Sequence, residues 1–170
     1  MAVVPAGIMS EPLSRLAAML ADCEAWQSWV EADDATEALG HIRYVEIGAD
    51  ELTTLQPWAL IDQGASFNLD TVAGGGFDQM TVGGSLLLRI QDAVAEAVAD
   101  DPAAAQFTFA NHLGAVISGL RALAGGSGRL PELSFELLDL YRPDPKLRVP
   151  GQEGDFFSAT FEIRWGLGGE

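Results

Sequence analysis

The apolar residues of this chain fall into four blocks that alternate between helical and strand periodicity, and that succession constrains the fold more than any motif does. A helix buries one stripe of side chains and a strand buries one face, so each block needs another to cover it. Helix, then several short strands, then helix, then two strands specifies an α+β domain. The expected architecture is a mostly antiparallel sheet with two principal helices packed on one face, in the order α-β-β-β-β-α-β-β.

The first block opens at Ser10, a good N-cap, with Pro12 in the first turn where a missing N–H costs little. Leu13, Leu16, Ala17, Leu20, Cys23, Trp26, Trp29 and Val30 follow at helical spacing, which predicts one helix from Glu11 to about Val30. Trp26 and Trp29 read as core. Glu31 to Gly40 is acidic and Ala-rich and suggests a further short helix under the aromatic end.

The second block contains His41–Ile47 (HIRYVEI), with Ile42 and Tyr44 sharing a face, then Trp58–Ile61 (WALI), then Ser66–Val72. Each reads as a separate strand. Three consecutive glycines, Gly74, Gly75 and Gly76, follow and suit a hairpin turn. Ser85–Ile90 (SLLLRI) is nearly all apolar and reads as a central strand.

In the third block Asp101 and Pro102 form an N-cap and first-turn pair. Phe109, Leu113, Val116, Leu120 and Leu123 share a face, and Gly125, Gly126 and Gly128 stop the helix near Ala124. The fourth block gives strands at Leu133–Tyr141 and Phe157–Trp165, the latter strictly alternating with one wet face. At 170 residues the chain is read as a loose extension over 1–9 and a single domain over 10–170.

Charge excludes some partners. The formal net charge is −16, from 25 Asp and Glu against 9 Lys and Arg. Phosphate backbones and anionic membranes are gripped by cations, so tight nucleic-acid or membrane binding is not expected. Three of the nine cations, Arg142, Lys146 and Arg148, cluster in one Pro-rich segment. That segment is either a solvated loop or a contact with an acidic neighbour. No apolar run reaches the roughly 20 residues that span a bilayer, and Met1–Met9 lacks the basic start of a signal peptide. Synthesis in a reducing cytosol is expected.

Catalytic signatures are absent. The glycine run lacks the Lys and Ser/Thr of a phosphate loop, and no G-x-G-x-x-G stands between strand and helix. Ser66 is not in a G-x-S-x-G elbow. The single cysteine, Cys23, excludes an intrachain disulfide and a cysteine metal cluster. His41 and His112 are far apart and do not specify a metal site. No catalytic residue, cofactor or metal is assigned, and the chain is not expected to be an enzyme.

The order of elements, with SEPLSRLAA at Ser10–Ala18, HIRY at His41–Tyr44, GSLLL at Gly84–Leu88 and ATFEIRW at Ala159–Trp165, resembles the tail terminator (tail-completion, head-tail neck) proteins of long-tailed bacteriophages. The resemblance covers about Ser10 to Trp165. It implies a virion subunit that forms a ring, commonly a hexamer, capping the tail tube and meeting the head connector while DNA passes through the lumen. Its partners would be itself, the tail tube protein and the connector protein. In such a ring Arg142, Lys146 and Arg148 would face the acidic first helix, or Glu31, Asp33 and Asp34, of the next subunit. A hairpin carrying Phe67, Gly74, Gly75, Gly76, Phe77 and Met80 would contact the tube. The alternatives are a tail tube or head-completion protein, an acidic binding module and a small hydrolase.

Overall fold

The computed structural model describes residues 10–44, 57–71, 80–93, 101–141 and 156–167. Helices α1 (Glu11–Ala21), α2 (Glu24–Val30), α3 (Ala35–Leu39) and α4 (Pro102–Leu123) accompany strands β1 (Ile42–Arg43), β2 (Trp58–Thr71), β3 (Met80–Ala93), β4 (Glu132–Tyr141) and β5 (Phe156–Leu167). The five strands form one sheet in the order β1-β2-β3-β5-β4. Every neighbouring pair is antiparallel except β1 with β2. The class is therefore α+β, with β3 central as expected. The proposed extension, residues 1–9, lies outside the described residues.

The first predicted helix is two. Asp22 closes α1, and Cys23 is extended (φ −74°, ψ 113°) before α2 begins. Gln27 of α2 reaches back and donates from Nε2 to the Ala21 carbonyl at 2.8 Å, which satisfies a carbonyl the break frees. The break re-aims the stripe, so that Trp26 and Trp29 both bury, with ring centroids 5.9 Å apart in an edge-to-face pair. Cys23 is buried at the junction, with Sγ 3.9 Å from the Val116 carbonyl oxygen of α4.

Two predicted strands are one. Trp58–Ile61 and Ser66–Val72 both fall on β2, apart from Val72, which lies outside the described residues. Between Gln63↔Leu86 and Phe67↔Gly84, β2 advances four residues while β3 advances two. The polar, Gly-containing stretch between the two predicted strands is this bulge. Gly64 makes it possible, because a Cβ there would meet Ser85 Oγ at 2.0 Å and the Ser85 carbonyl carbon at 2.6 Å. The Ser66 N–H and hydroxyl both reach Ser85 Oγ, at 3.2 and 3.1 Å. At the other side of the sheet β1 is only two residues long, so Ile42 is buried while Tyr44, expected on the same face, is exposed. Residues 45–47 of that predicted strand lie outside the described residues.

The core lies between the helices and one sheet face. Phe157, Ala159, Phe161, Ile163 and Trp165 of β5 are all buried and pair with inward residues of β3, as in Leu86↔Ile163 and Leu88↔Phe161. Leu16 and Leu20 of α1, Trp26 and Trp29 of α2, and Phe109, Leu113, Val116 and Leu120 of α4 cover them. Each such fully buried large side chain contributes about 1.5–3 kcal/mol. Asp101 caps α4 as expected, accepting from Ala104 N–H at 3.1 Å. Opposite the core, Arg164 is exposed, but Ser158, expected on the wet face, is buried together with Trp58, Leu60 and Gln91. No helix among the described residues is long and apolar enough to cross a membrane.

Candidate interaction surfaces

The acidic residues singled out from sequence lie on one rigid corner. Helix α2 ends at Glu31, which adopts the left-handed conformation (φ 57°, ψ 37°) that usually falls to glycine. The chain turns there into α3. Asp34 caps α3, accepting the Glu37 N–H at 2.8 Å, and Glu37 returns its carboxylate to the Asp33 N–H at 2.9 Å. This reciprocal pair is close to a capping box and fixes the turn. Glu31, Asp33 and Asp34 are all exposed.

Three contacts locate that corner against the sheet. Trp29 donates from Nε1 to Asp92 Oδ2 at 2.9 Å, which pins α2 to the end of β3. Past α3, His41 Nδ1 lies 2.8 Å from the Pro57 carbonyl oxygen, and the His41 carbonyl accepts the Ala59 N–H. The corner therefore sits at the end of the sheet where β3 finishes, on the β1 side. Trp58, Gln91, Ser158 and Tyr141 form one transverse row at that same end. Tyr141 is thus at the same end but on the opposite lateral edge, and Arg142 follows it directly. Four strand spacings of about 4.8 Å separate the β1 and β4 edges by about 19 Å. Arg142, Lys146 and Arg148 themselves lie outside the described residues.

Strands β2 and β3 pair as an antiparallel hairpin up to Thr71↔Met80. Of the six proposed tube-contact residues, Phe67 lies on β2 opposite Gly84 and Met80 begins β3. Gly74, Gly75, Gly76 and Phe77 lie outside the described residues.

A second grouping was not legible in the sequence because it joins four elements distant in the chain. The Trp29 ring meets the His112 ring at 4.8 Å and the Phe109 ring at 5.6 Å, while Phe109 stacks on Phe157 at 5.2 Å. Burial holds the Asp92 carboxyl above its usual range, and the Trp29 indole N–H, the Ala93 backbone N–H and nearby His112 pull the other way. The arrangement locks α2 and α4 onto the end of β3. His112 Nδ1 is buried, with no hydrogen-bond partner among the described residues.

The third surface is the outer edge of β4. Leu137, Leu138 and Tyr141 are 50%, 52% and 49% exposed. Sequence reasoning took these as ordinary strand residues. The signal was the doubled leucine, which breaks the alternation where the ladder with β5 shifts register between Leu137 and Asp139.

The described arginines are all engaged within the subunit. Arg15 pairs with Glu11, Arg129 with Asp22, and Arg164 with both Glu136 and Glu162. Arg43 donates to the Gly40 and Ile42 carbonyls, Arg121 lies over the Phe135 ring at 5.8 Å, and Arg89 is also partnered. Among the described residues, no three His, Cys, Asp or Glu side chains are grouped to hold a metal ion. The chain matches no protein-family model and no curated protein sequence.

Proposed function

We propose that the chain is a structural subunit of a long-tailed bacteriophage virion, a tail terminator whose ring caps the tail tube and joins it to the head connector, with DNA passing through the lumen. The observation that supports this reading is the position of the acidic corner relative to the end of β4. The acidic corner Glu31–Asp34 sits on the β1 side of one sheet end, and β4, which the basic segment follows in sequence, ends on the other side of the same sheet end. A head-to-tail ring contact needs two different matching patches on opposite sides of each subunit. The acidic surface also suits a lumen through which DNA moves without adhering. No reaction or cofactor is assigned.

Immunogold labelling of purified virions tests the placement. Label at the junction of head and tail is the expected result. Label along the whole tail would make the chain a tube protein, and unlabelled particles would overturn the virion reading. The contact is tested separately by Arg142→Glu with Lys146→Glu. This pair should abolish ring assembly in light scattering and leave the circular dichroism of the subunit unchanged. Adding Glu31→Arg and Asp33→Arg should restore assembly. Rings that survive the first pair of changes would refute the pairing.

A further inference from the structure

We propose that the outer edge of β4 accepts an extended strand from a different protein, one whose residues alternate basic and apolar. The inference concerns the free subunit, because the proposed ring contact lies on the same β4 side of the sheet.

Strand β4 is the last in the sheet, and among the described residues no strand pairs with its outer side. An edge of this kind offers a row of backbone donors and acceptors to any extended chain. Its two faces differ sharply. Register with β5 puts Glu132, Ser134, Glu136, Asp139 and Tyr141 on the face away from the helices, opposite Gly166, Arg164, Glu162, Thr160 and Ser158. Leu133, Phe135 and Leu137 lie on the helix face, opposite Trp165, Ile163 and Phe161. Leu133 and Phe135 are partly covered there, whereas Leu137 is half exposed.

An added strand would continue that division, because successive side chains point to opposite faces. Its residues on the far face would stand beside Glu132, Glu136 and Asp139, and opposite charges in such cross-strand positions attract. Its residues on the helix face would stand beside Leu137 and cover it. The occupant that satisfies both faces alternates cations with apolar side chains.

Charge and geometry argue against the other occupants. Two copies joined antiparallel through β4 would set these carboxylates against their own equivalents, in subunits that each carry −16. The short strand β1 at the opposite side of a second copy is two residues long and cannot by itself fill a ten-residue edge. The chain's own basic stretch, Arg142–Val149, has prolines at 143 and 145 that donate no N–H to a ladder. The acids that protect this edge against self-association therefore select a basic strand.

The test uses the full chain and a fluorescent nine-residue peptide alternating lysine and valine, followed by anisotropy. The lysine peptide should bind and its glutamate counterpart should not. N-methylation of one alternate set of peptide amides should abolish binding, and of the other set should spare it, because a ladder uses every second amide on one side. Glu132→Lys with Asp139→Lys, both at exposed positions, should reverse the preference between the two peptides by at least about tenfold. Equal binding by both N-methylated peptides would reduce the effect to charge attraction and overturn the proposal. An unreversed preference in the double variant would place the site elsewhere. Dimerisation of the chain alone that Leu137→Lys abolishes would make a second copy the occupant. Should the double variant fail to fold by circular dichroism, the two N-methylated peptides still decide the question on the wild-type chain.

Discussion

Asp92 ties α2 to the end of β3 through a single bond to the Trp29 indole, and burial makes that carboxylate hard to ionise. Its pKa in the folded chain lies above the usual 3.8, chiefly through desolvation. The folded state therefore holds the proton more tightly than the unfolded chain does. As pH rises from the usual carboxylate value through the raised one, the folded state must surrender that proton, and this site's contribution to stability falls. An asparagine keeps an oxygen to accept the indole N–H and has no proton to lose. Asp92→Asn should gain stability relative to the wild type between about pH 3.5 and about pH 7. Urea midpoints for both proteins at the two pH values measure this. An offset that is the same at both would mean that the half-buried carboxylate is not the cause.

Helix α4 carries two interior glycines whose surroundings assign them opposite roles. Among the described residues a Cβ at Gly114 would meet nothing within 4 Å, whereas one at Gly119 would come within 2.4 Å of Cys23 Sγ. Alanine is the better helix former by about 1 kcal/mol, so Gly114→Ala should stabilise by roughly that amount. Gly119→Ala makes the same propensity gain but forces the α1–α2 junction away, and overpacking of this kind costs about 1–3 kcal/mol. Removing the sulfur with Cys23→Ala should recover much of the loss in a double-mutant cycle, since the Cys23 Cβ stands at 3.9 Å. Additive effects of the two substitutions would show that the contact is not what limits position 119. This close crossing marks the boundary of what sequence could supply. The faces of α4 and β5 were legible because each stripe repeats within one segment, as in Phe109, Leu113, Val116 and Leu120. The break at Cys23 and the bulge at Gly64 were not, because each answers to a partner far along the chain, Gly119 in one case and Ser85 in the other. Among the candidate site residues, the acidic run at Glu31–Asp34 was visible as composition. The edge character of β4 was not, since strand order is a property of the sheet and not of any strand.

At the scale of the whole molecule the net charge of −16 acts against compactness. Twenty-five acids and nine bases share one small surface, so repulsion among carboxylates favours expanded states. The ion pairs of Arg15 with Glu11, Arg129 with Asp22 and Arg164 with Glu136 oppose it. These pairs are at least partly solvent-exposed, and such pairs contribute about 0–1 kcal/mol each. Screening should weaken the diffuse repulsion more than it weakens three short pairs, so added salt should stabilise the subunit. The Tm at pH 7 should rise by a few degrees as NaCl goes from about 0.02 M to about 0.2 M, where the Debye length drops below about 8 Å, and then level off. A rise that instead continues linearly to about 1 M would point to salt exclusion from apolar surface. A Tm that falls over the same range would mean that the three pairs outweigh the general repulsion. A ring contact carried by Arg142, Lys146 and Arg148 against Glu31, Asp33 and Asp34 should respond with the opposite sign, because there screening removes an attraction. Light scattering and thermal unfolding of one salt series therefore separate the two effects. Assembly should decline over the same range in which the subunit itself becomes harder to melt.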